Sequence, residues 1–479
     1  MLKRIPRSIQ IQLLRRRPRR SYRYFSKRAT GDDLISQLPP QFLRMSCDDC
    51  FDPETHQRSD VKVDLNDGRP IQQAIEGKIF AIREVAFDGS SNSYIVHFQD
   101  GHKNTFSKDW VEMQISRMRG MKDLTSLSPV ISRTPWTNLQ DIDLRRPYSN
   151  DCKEDMEGKE GMAFSFHDLV LSKNHEHNVD KALKLLHRYG ILLVSSTPVD
   201  DNGAGIAALS SVFSGAAFKT SPDTSPLAHY RHSIEQGIKP NSVPCLGDAA
   251  DGPYRTLFGG VWSTHSSQMT EGTSTADSAY GNDALPLHTD MTYYRDPPGL
   301  QIFTMVSPAD QGGESIFADG LAVGERMRKE YPKEFKILCS TSRRYRSIDD
   351  KTGWHLEACG PIFQTSSLNA QNNLGSILSI RHNDLDRLPD LVEQNHDTFY
   401  KDLTDSHKVL DKLLSSDEFR LVIGLQAGET VVVSNQRCLH GRQSFLATSS
   451  PRIVMGSYVS QDDLDSRMRW MMNGLCTFQ

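Results

Sequence analysis

No apolar run in this 479-residue chain reaches the roughly 18–20 residues of a membrane-spanning helix, so no segment reads as one. Cysteine is scarce. There are eight, six of them isolated (Cys152, Cys245, Cys339, Cys359, Cys438 and Cys476), which does not make a secreted disulfide framework and points to a reducing compartment. No segment repeats at a fixed period, which sets aside solenoids and propellers. Acidic residues are missing before Asp32, although the whole chain carries 60 acids and 56 bases. What is present describes a globular chain with a large core: 37% hydrophobic, 24% charged and 8% aromatic residues, over a length of roughly two to four domains.

The missing acids leave residues 1–28 with eleven Lys and Arg, from Lys3 to Arg28, and with Ile5, Ile9, Ile11, Leu13 and Leu14 among them. An Arg-rich, acid-free start resembles a mitochondrial transit peptide, with Arg23-Tyr24-Phe25-Ser26 as a cleavage neighbourhood and the mitochondrial matrix as the expected address. The alternative is a basic arm for nucleic acid or anionic lipid. After residue 28, however, 45 bases face 60 acids, a net charge of −15 that repels polyanions. No basic patch interleaved with aromatics follows, so neither nucleic acid nor a membrane is expected as a partner.

Residues 33–113 read as a small β-rich N-terminal domain. Two strand-like runs, Phe80–Val85 and Tyr94–Phe98, flank a Gly/Ser/Asn turn. Residues 114–160 lack periodicity and read as a linker, and 161–479 as the catalytic domain. A helical stretch at 178–187 runs into a buried strand at 190–194, and the Ser/Gly/Asp-rich stretch 201–253 reads as a long surface insertion. From 285 onward short apolar strands dominate (Leu300–Val306, Glu314–Ala318, Thr430–Ser434, Ile453–Val459), interrupted by helical patches at Gly320–Tyr331 and Leu388–Leu414. The expected fold is mainly β with flanking helices, a two-sheet barrel or sandwich whose mouth collects polar ligands.

His288 and Asp290, in Leu287–Tyr294, stand two residues apart, so on an extended strand both face the same side. A mononuclear iron(II) oxygenase needs two His and one carboxylate on one face of the metal, with three positions left open. His440, 152 residues downstream after an apolar strand, is the candidate third ligand. His382-Asn383-Asp384 has the same spacing, but its neighbours Asp386, Arg387 and Asp390 suggest solvent. A co-substrate with a remote carboxylate needs a buried cation, for which the fork of Arg452 fits and Arg442 competes.

Taken together, Leu287–Tyr294, Gly312–Gly320, Asn435–Arg442 and Arg452 resemble the γ-butyrobetaine/trimethyllysine hydroxylases, over roughly residues 40–115 and 160–470. The resemblance implies a double-stranded β-helix (jelly-roll) domain and dependence on Fe(II), 2-oxoglutarate and O2, with ascorbate as reductant and a homodimer as the assembly. It implies catalytic and iron-ligating roles for His288, Asp290 and His440, and a 2-oxoglutarate-binding role for Arg452. Phe258, Trp262, Tyr280 and Tyr458 match a cage of rings for a trimethylammonium group, and Asn383 matches a contact to the substrate's polar end.

Asp277 favours trimethyllysine, whose α-ammonium it would pair, over γ-butyrobetaine. The implied activity is 3-hydroxylation of Nε-trimethyllysine, an early step of carnitine biosynthesis. The alternatives are γ-butyrobetaine hydroxylation, or a non-catalytic relative that binds quaternary amines. Cys47, Cys50 and His102 resemble three of the four ligands of a structural zinc site, which His56, Asp48 or water would have to complete.

Overall fold

A computed structural model describes residues 34–47, 50, 81–120, 132–138, 141–148, 161–214, 220–240, 256, 260–264, 281–349, 353–366, 374–389, 396–446 and 451–471. The transit-peptide segment lies outside these. The chain divides into two compact units at residues 115/116.

The first unit holds a three-stranded antiparallel sheet (Ile82–Asp88, Ser93–Phe98, Lys103–Ser107), the short helix Pro40–Met45 and the start of the helix Lys108–Gly120. The turn at 88–93 follows from its side chains: Asp88 accepts from Ser90 N–H and from the hydroxyls of Ser90 and Ser91. Among the described residues, no group of ligand atoms within 4.8 Å of one another contains Cys47, Cys50 and His102. Instead Cys47 Sγ donates to Leu43 O at 3.5 Å. Arg44 reaches Cys50 Sγ at 3.4 Å and Asp100 at 2.9 Å, so a guanidinium lies against a thiol that the zinc expectation made a ligand. Asp48 and His56 lie outside the described residues.

The second unit is built on two sheets. One runs Leu421–Ile423, Ser315–Asp319, Cys438–Arg442, Leu285–His288. The other ends in Thr430–Ser434, Leu300–Ser307, Ile453–Val459, Val261–Ser263. This is the strand order of an eight-stranded jelly roll. Three further strands, Asp143–Pro147, Gly161–Ser165 and Ile191–Ser195, extend the larger sheet to seven. Alternation sorts the side chains. Ile191, Leu193, Phe303, Met305, Val431 and Val433 pack with Phe317 and Leu421 between the sheets, whereas Leu192, Val194, Leu300, Ile302 and Val432 face helices on the outside.

Helices cover the outer faces of both sheets, so the chain is mixed α/β rather than mainly β. The helix Pro332–Ser340 has no counterpart among the sequence expectations, and the second helical patch begins only at His396. The expected linker contributes Asp143–Pro147 to the large sheet, and Trp136 is 1% exposed with its Nε1 donating to Tyr189 O at 2.7 Å. The expected surface insertion contains Ala204–Val212, a helix with every residue buried, packed against Leu300, Ile302 and Val459. Its Ala, Gly and Ser are small because the backbone lies close to the sheet, a pattern that imitates a loop in sequence.

A buried ion pair ties the sheets' connections together. Asp319 accepts from Arg437 Nε at 2.9 Å and from its terminal nitrogen at 2.8 Å, caps the helix Gly320–Glu330 through Leu321 N–H, and accepts Trp136 N–H. Asp319→Ala strands the Arg437 guanidinium without its partner and should lower stability by about 3–5 kcal/mol. Urea unfolding followed by circular dichroism measures the loss, and a midpoint within error of wild type would show that the backbone carbonyls around Arg437 suffice.

Candidate metal centre

The antiparallel pairing of Leu285–His288 with Cys438–Arg442 sets His440 directly opposite His288, with ring centroids 4.4 Å apart. Asp290 is not on the strand, as the spacing suggested. The strand ends at His288, and Asp290 sits in the turn that follows, where Met291 adopts φ 54°. Asn435 fixes that turn: its Oδ1 accepts Asp290 N–H at 2.7 Å and its Nδ2 donates to Asp290 O at 3.1 Å.

The result is a convergent donor set. Asp290 Oδ1 lies 3.3 Å from His288 Nε2 and 3.4 Å from His440 Nε2, and the three ligand atoms lie within 4.8 Å of one another. His288 Nδ1 donates to Pro286 O at 2.8 Å, which leaves Nε2 as the lone-pair nitrogen facing Asp290. Burial alone would raise the Asp290 carboxyl, but the flanking His440 and His288 outweigh it and hold it well below the ordinary carboxylate range. Burial works to lower His288 and Asp290 overrides it, so that imidazole is raised. Burial prevails at His440, which is lowered. Two imidazoles, only one of them eased toward its cation, around a carboxylate that stays ionised are a donor set suited to a divalent metal.

Two arginines lie beyond His440. Arg442 donates to the backbone carbonyls of Gly281 and Asp283. Arg452 is different: its Nε is buried without a hydrogen-bond partner among the described residues, and burial, then the charge of Arg442, bring its guanidinium down to about 10. Both stack on Phe445. Gly313, at φ +78°, stands where a Cβ would be 3.2 Å from Arg452 Cδ. A guanidinium with a buried, unused donor fits the remote carboxylate of a 2-oxoglutarate.

Around Asp290 lies a cluster of Met291, Tyr293, Tyr345 and Tyr458, with Trp262 and Tyr294 against it. The rings of Trp262 and Tyr458 are 6.2 Å apart. Trp262 lies across Gly456, where a Cβ would come within 2.1 Å of its ring, so only glycine permits the approach. Phe258, Asp277 and Tyr280 lie outside the described residues. Asn383 donates to Asp386 Oδ2 at 2.9 Å and accepts Leu385 N–H at 3.0 Å, within its own turn. Sequence reasoning gave no role to Gln301 or Asn435, nor to Tyr293 and Tyr294, which follow the ligand in Asp290-Met291-Thr292-Tyr293-Tyr294.

The second His-x-Asp pair is solvated at Asp384, as expected, but not at His382. His382 is 4% exposed, and burial pushes its imidazole down to about 4. With Asp384 and Asp411 it forms the other group of ligand atoms within 4.8 Å among the described residues, at the wall of a cavity of about 690 Å³. Arg387 lies 3.2 Å from Asp384 and already supplies positive charge there.

Facing jelly-roll strands carrying two histidines, with a carboxylate in the adjoining turn and an arginine whose Nε is buried, define the class of mononuclear non-haem Fe(II)- and 2-oxoglutarate-dependent oxygenases. The model of the taurine catabolism dioxygenase TauD, TfdA family matches residues 151–458, and the chain belongs to that family. It is 29% identical over 211 residues to mouse mitochondrial trimethyllysine dioxygenase, covering 44% of this chain and 47% of that one. It is 29% identical over 223 residues to trimethyllysine dioxygenase of Meyerozyma guilliermondii (46% and 51%), and 28% identical over 235 residues to human gamma-butyrobetaine dioxygenase (48% and 57%). The chain thus spans about half the length of the curated relatives it matches. Among solved structures it is similar to an asparagine oxygenase, with 13% identity, a TM-score of 0.37 and coverage of 74% of this chain and 92% of that one.

Replacing His288, Asp290 or His440 by Ala should weaken Fe(II) or Co(II) binding by at least about 100-fold, beyond what loss of a single outer-shell partner costs. Asp411→Asn should leave it unchanged. Titration of the metal-free protein measures both, and equal losses in Asp411→Asn and His288→Ala would transfer the site to the second cluster.

Proposed function

We propose that the chain is a 2-oxoglutarate-dependent 3-hydroxylase of Nε-trimethyllysine. The observation that carries the proposal is the juxtaposition of the His288–Asp290–His440 donor set with an aromatic cluster that includes Trp262 and Tyr458. Iron would be held by the three donors, and the far carboxylate of 2-oxoglutarate by Arg452. Bound there, they supply the oxidation: O2 is consumed, 2-oxoglutarate leaves as succinate and CO2, and one oxygen atom enters a substrate C–H bond.

The chain's own groups would bind and orient. The faces of Trp262 and Tyr458 attract a cation that has no N–H to donate. Arg452, whose buried Nε has no partner among the described residues, would gain a charge-assisted hydrogen bond there. Asp277 would pair with the α-ammonium that trimethyllysine has and γ-butyrobetaine lacks; this part rests on the sequence resemblance. γ-Butyrobetaine is the second candidate substrate, favoured by the similarity to human gamma-butyrobetaine dioxygenase. The acid-free, Arg-rich start and the mitochondrial names of the mammalian relatives support an address in the mitochondrial matrix.

Turnover of trimethyllysine and γ-butyrobetaine side by side, read as succinate and hydroxylated product, tests the substrate. Trimethyllysine is expected to be preferred, and Asp277→Asn to lower that preference roughly ten- to a hundred-fold, as a charged hydrogen bond of about 1.5–3 kcal/mol becomes neutral. A wild-type preference for γ-butyrobetaine rejects the assignment. Absence of succinate with either amine would leave a quaternary-amine binder.

Arg452→Ala should raise the 2-oxoglutarate requirement by an amount equivalent to roughly 2–5 kcal/mol, with Arg452→Lys recovering part of it. Initial rates against 2-oxoglutarate concentration check this, and an unchanged KM would return the role to Arg442.

A further inference from the structure

We propose that Gln301 and Tyr458 are positioning residues that restrict Asp290 to ligation through a single oxygen, leaving the neighbouring metal positions open. The inference rests on His288, Asp290 and His440 being the metal site. Its basis is the different surroundings of the two Asp290 oxygens. Oδ1 faces both imidazoles, at 3.3 and 3.4 Å. Oδ2 accepts the Tyr458 hydroxyl at 2.9 Å and the Gln301 side-chain amide.

The two pairs of neighbours come from different sheets. His288 and His440 are cross-strand partners in the smaller sheet, and Gln301 and Tyr458 are cross-strand partners in the larger one. The carboxylate therefore spans the interior, one oxygen assigned to each sheet. Its backbone has no slack, because Asn435 holds both the N–H and the C=O of Asp290.

To chelate a metal with both oxygens, the carboxylate would have to turn Oδ2 away from two donors on residues that are 5% and 4% exposed. Turning would leave those buried donors unsatisfied. One-oxygen ligation matters chemically, because a chelating carboxylate would occupy a coordination position that a two-point co-substrate and O2 require. Tyr458 acquires a second function beside its ring face: the ring can attract the substrate cation while the hydroxyl acts through Asp290.

Tyr458→Phe separates the two functions, since it keeps the ring and removes only the hydroxyl. Gln301→Leu removes the other donor with little change of volume. Metal-free full-length protein is titrated with Co(II), whose visible d–d bands report coordination number, before and after addition of 2-oxoglutarate. The expected result is Co(II) binding weakened about 10–100-fold in each variant, the usual cost of an outer-shell partner. The spectrum of the cobalt–2-oxoglutarate complex should also change in each variant. A cobalt–2-oxoglutarate spectrum identical to wild type in both variants overturns the proposal, whatever happens to turnover. If Gln301→Leu does not fold, Tyr458→Phe decides alone. Failure of the underlying site looks different: His288→Ala would then bind Co(II) as tightly as wild type.

Discussion

A buried imidazole gains nothing from a second imidazole beside it, so the closeness of His288 and His440 has to be imposed by the backbone. The register between Leu285–His288 and Cys438–Arg442 imposes it. A slip of one residue would turn every side chain of a strand to the opposite face and dissolve the pair. The Asp319–Arg437 clamp sits at the start of the His440 strand, where Asp319 is opposite Cys438, and holds that register from outside the metal centre. Asp290 then supplies the negative charge that makes two neighbouring imidazoles tolerable.

The treatment of buried arginines shows how the interior divides structural from open positions. Arg437 is matched by a carboxylate and by carbonyls, and Arg381 by carbonyls alone: those of Thr292, Tyr294 and Arg295, which brace the turn after Asp290. Arg442 is likewise spent on carbonyls. Against these, the Nε of Arg452 is buried with no hydrogen-bond partner among the described residues, which is costly for a cation.

Much of this was legible in the sequence where local patterns carry the information. The β-branched runs at 430–434 and 453–459 became strands with the same limits, and the helix before Gly190 was placed within three residues at each end. Composition misled where small residues meant tightness: Ala204–Val212 resembles a loop because a helix against a sheet needs Ala, Gly and Ser as much as a turn does. Isolated spacing could not separate His288–Asp290 from His382–Asp384, because folding brings a third candidate ligand to each pair. The difference lies in Arg387, an ion-pair partner that no spacing rule evaluates. Gln301 and Asn435 were invisible for a related reason. A lone amide acquires meaning only from the residue that folding places opposite it.

The larger sheet has a seam with consequences for how the chain is made. Strand Ile191–Ser195 pairs on one side with Gly161–Ser165, a close neighbour in sequence, but on the other with Thr430–Ser434, where Leu192 meets Val432, 240 positions later. At roughly 5–20 residues per second, a ribosome needs on the order of ten to fifty seconds to supply that partner. For that interval the nascent chain carries an unpaired, wholly apolar strand edge, Ile-Leu-Leu-Val, of the kind that recruits other chains. Until Thr430–Ser434 has been synthesised, the native sheet has no strand to cover that edge of residues 191–195.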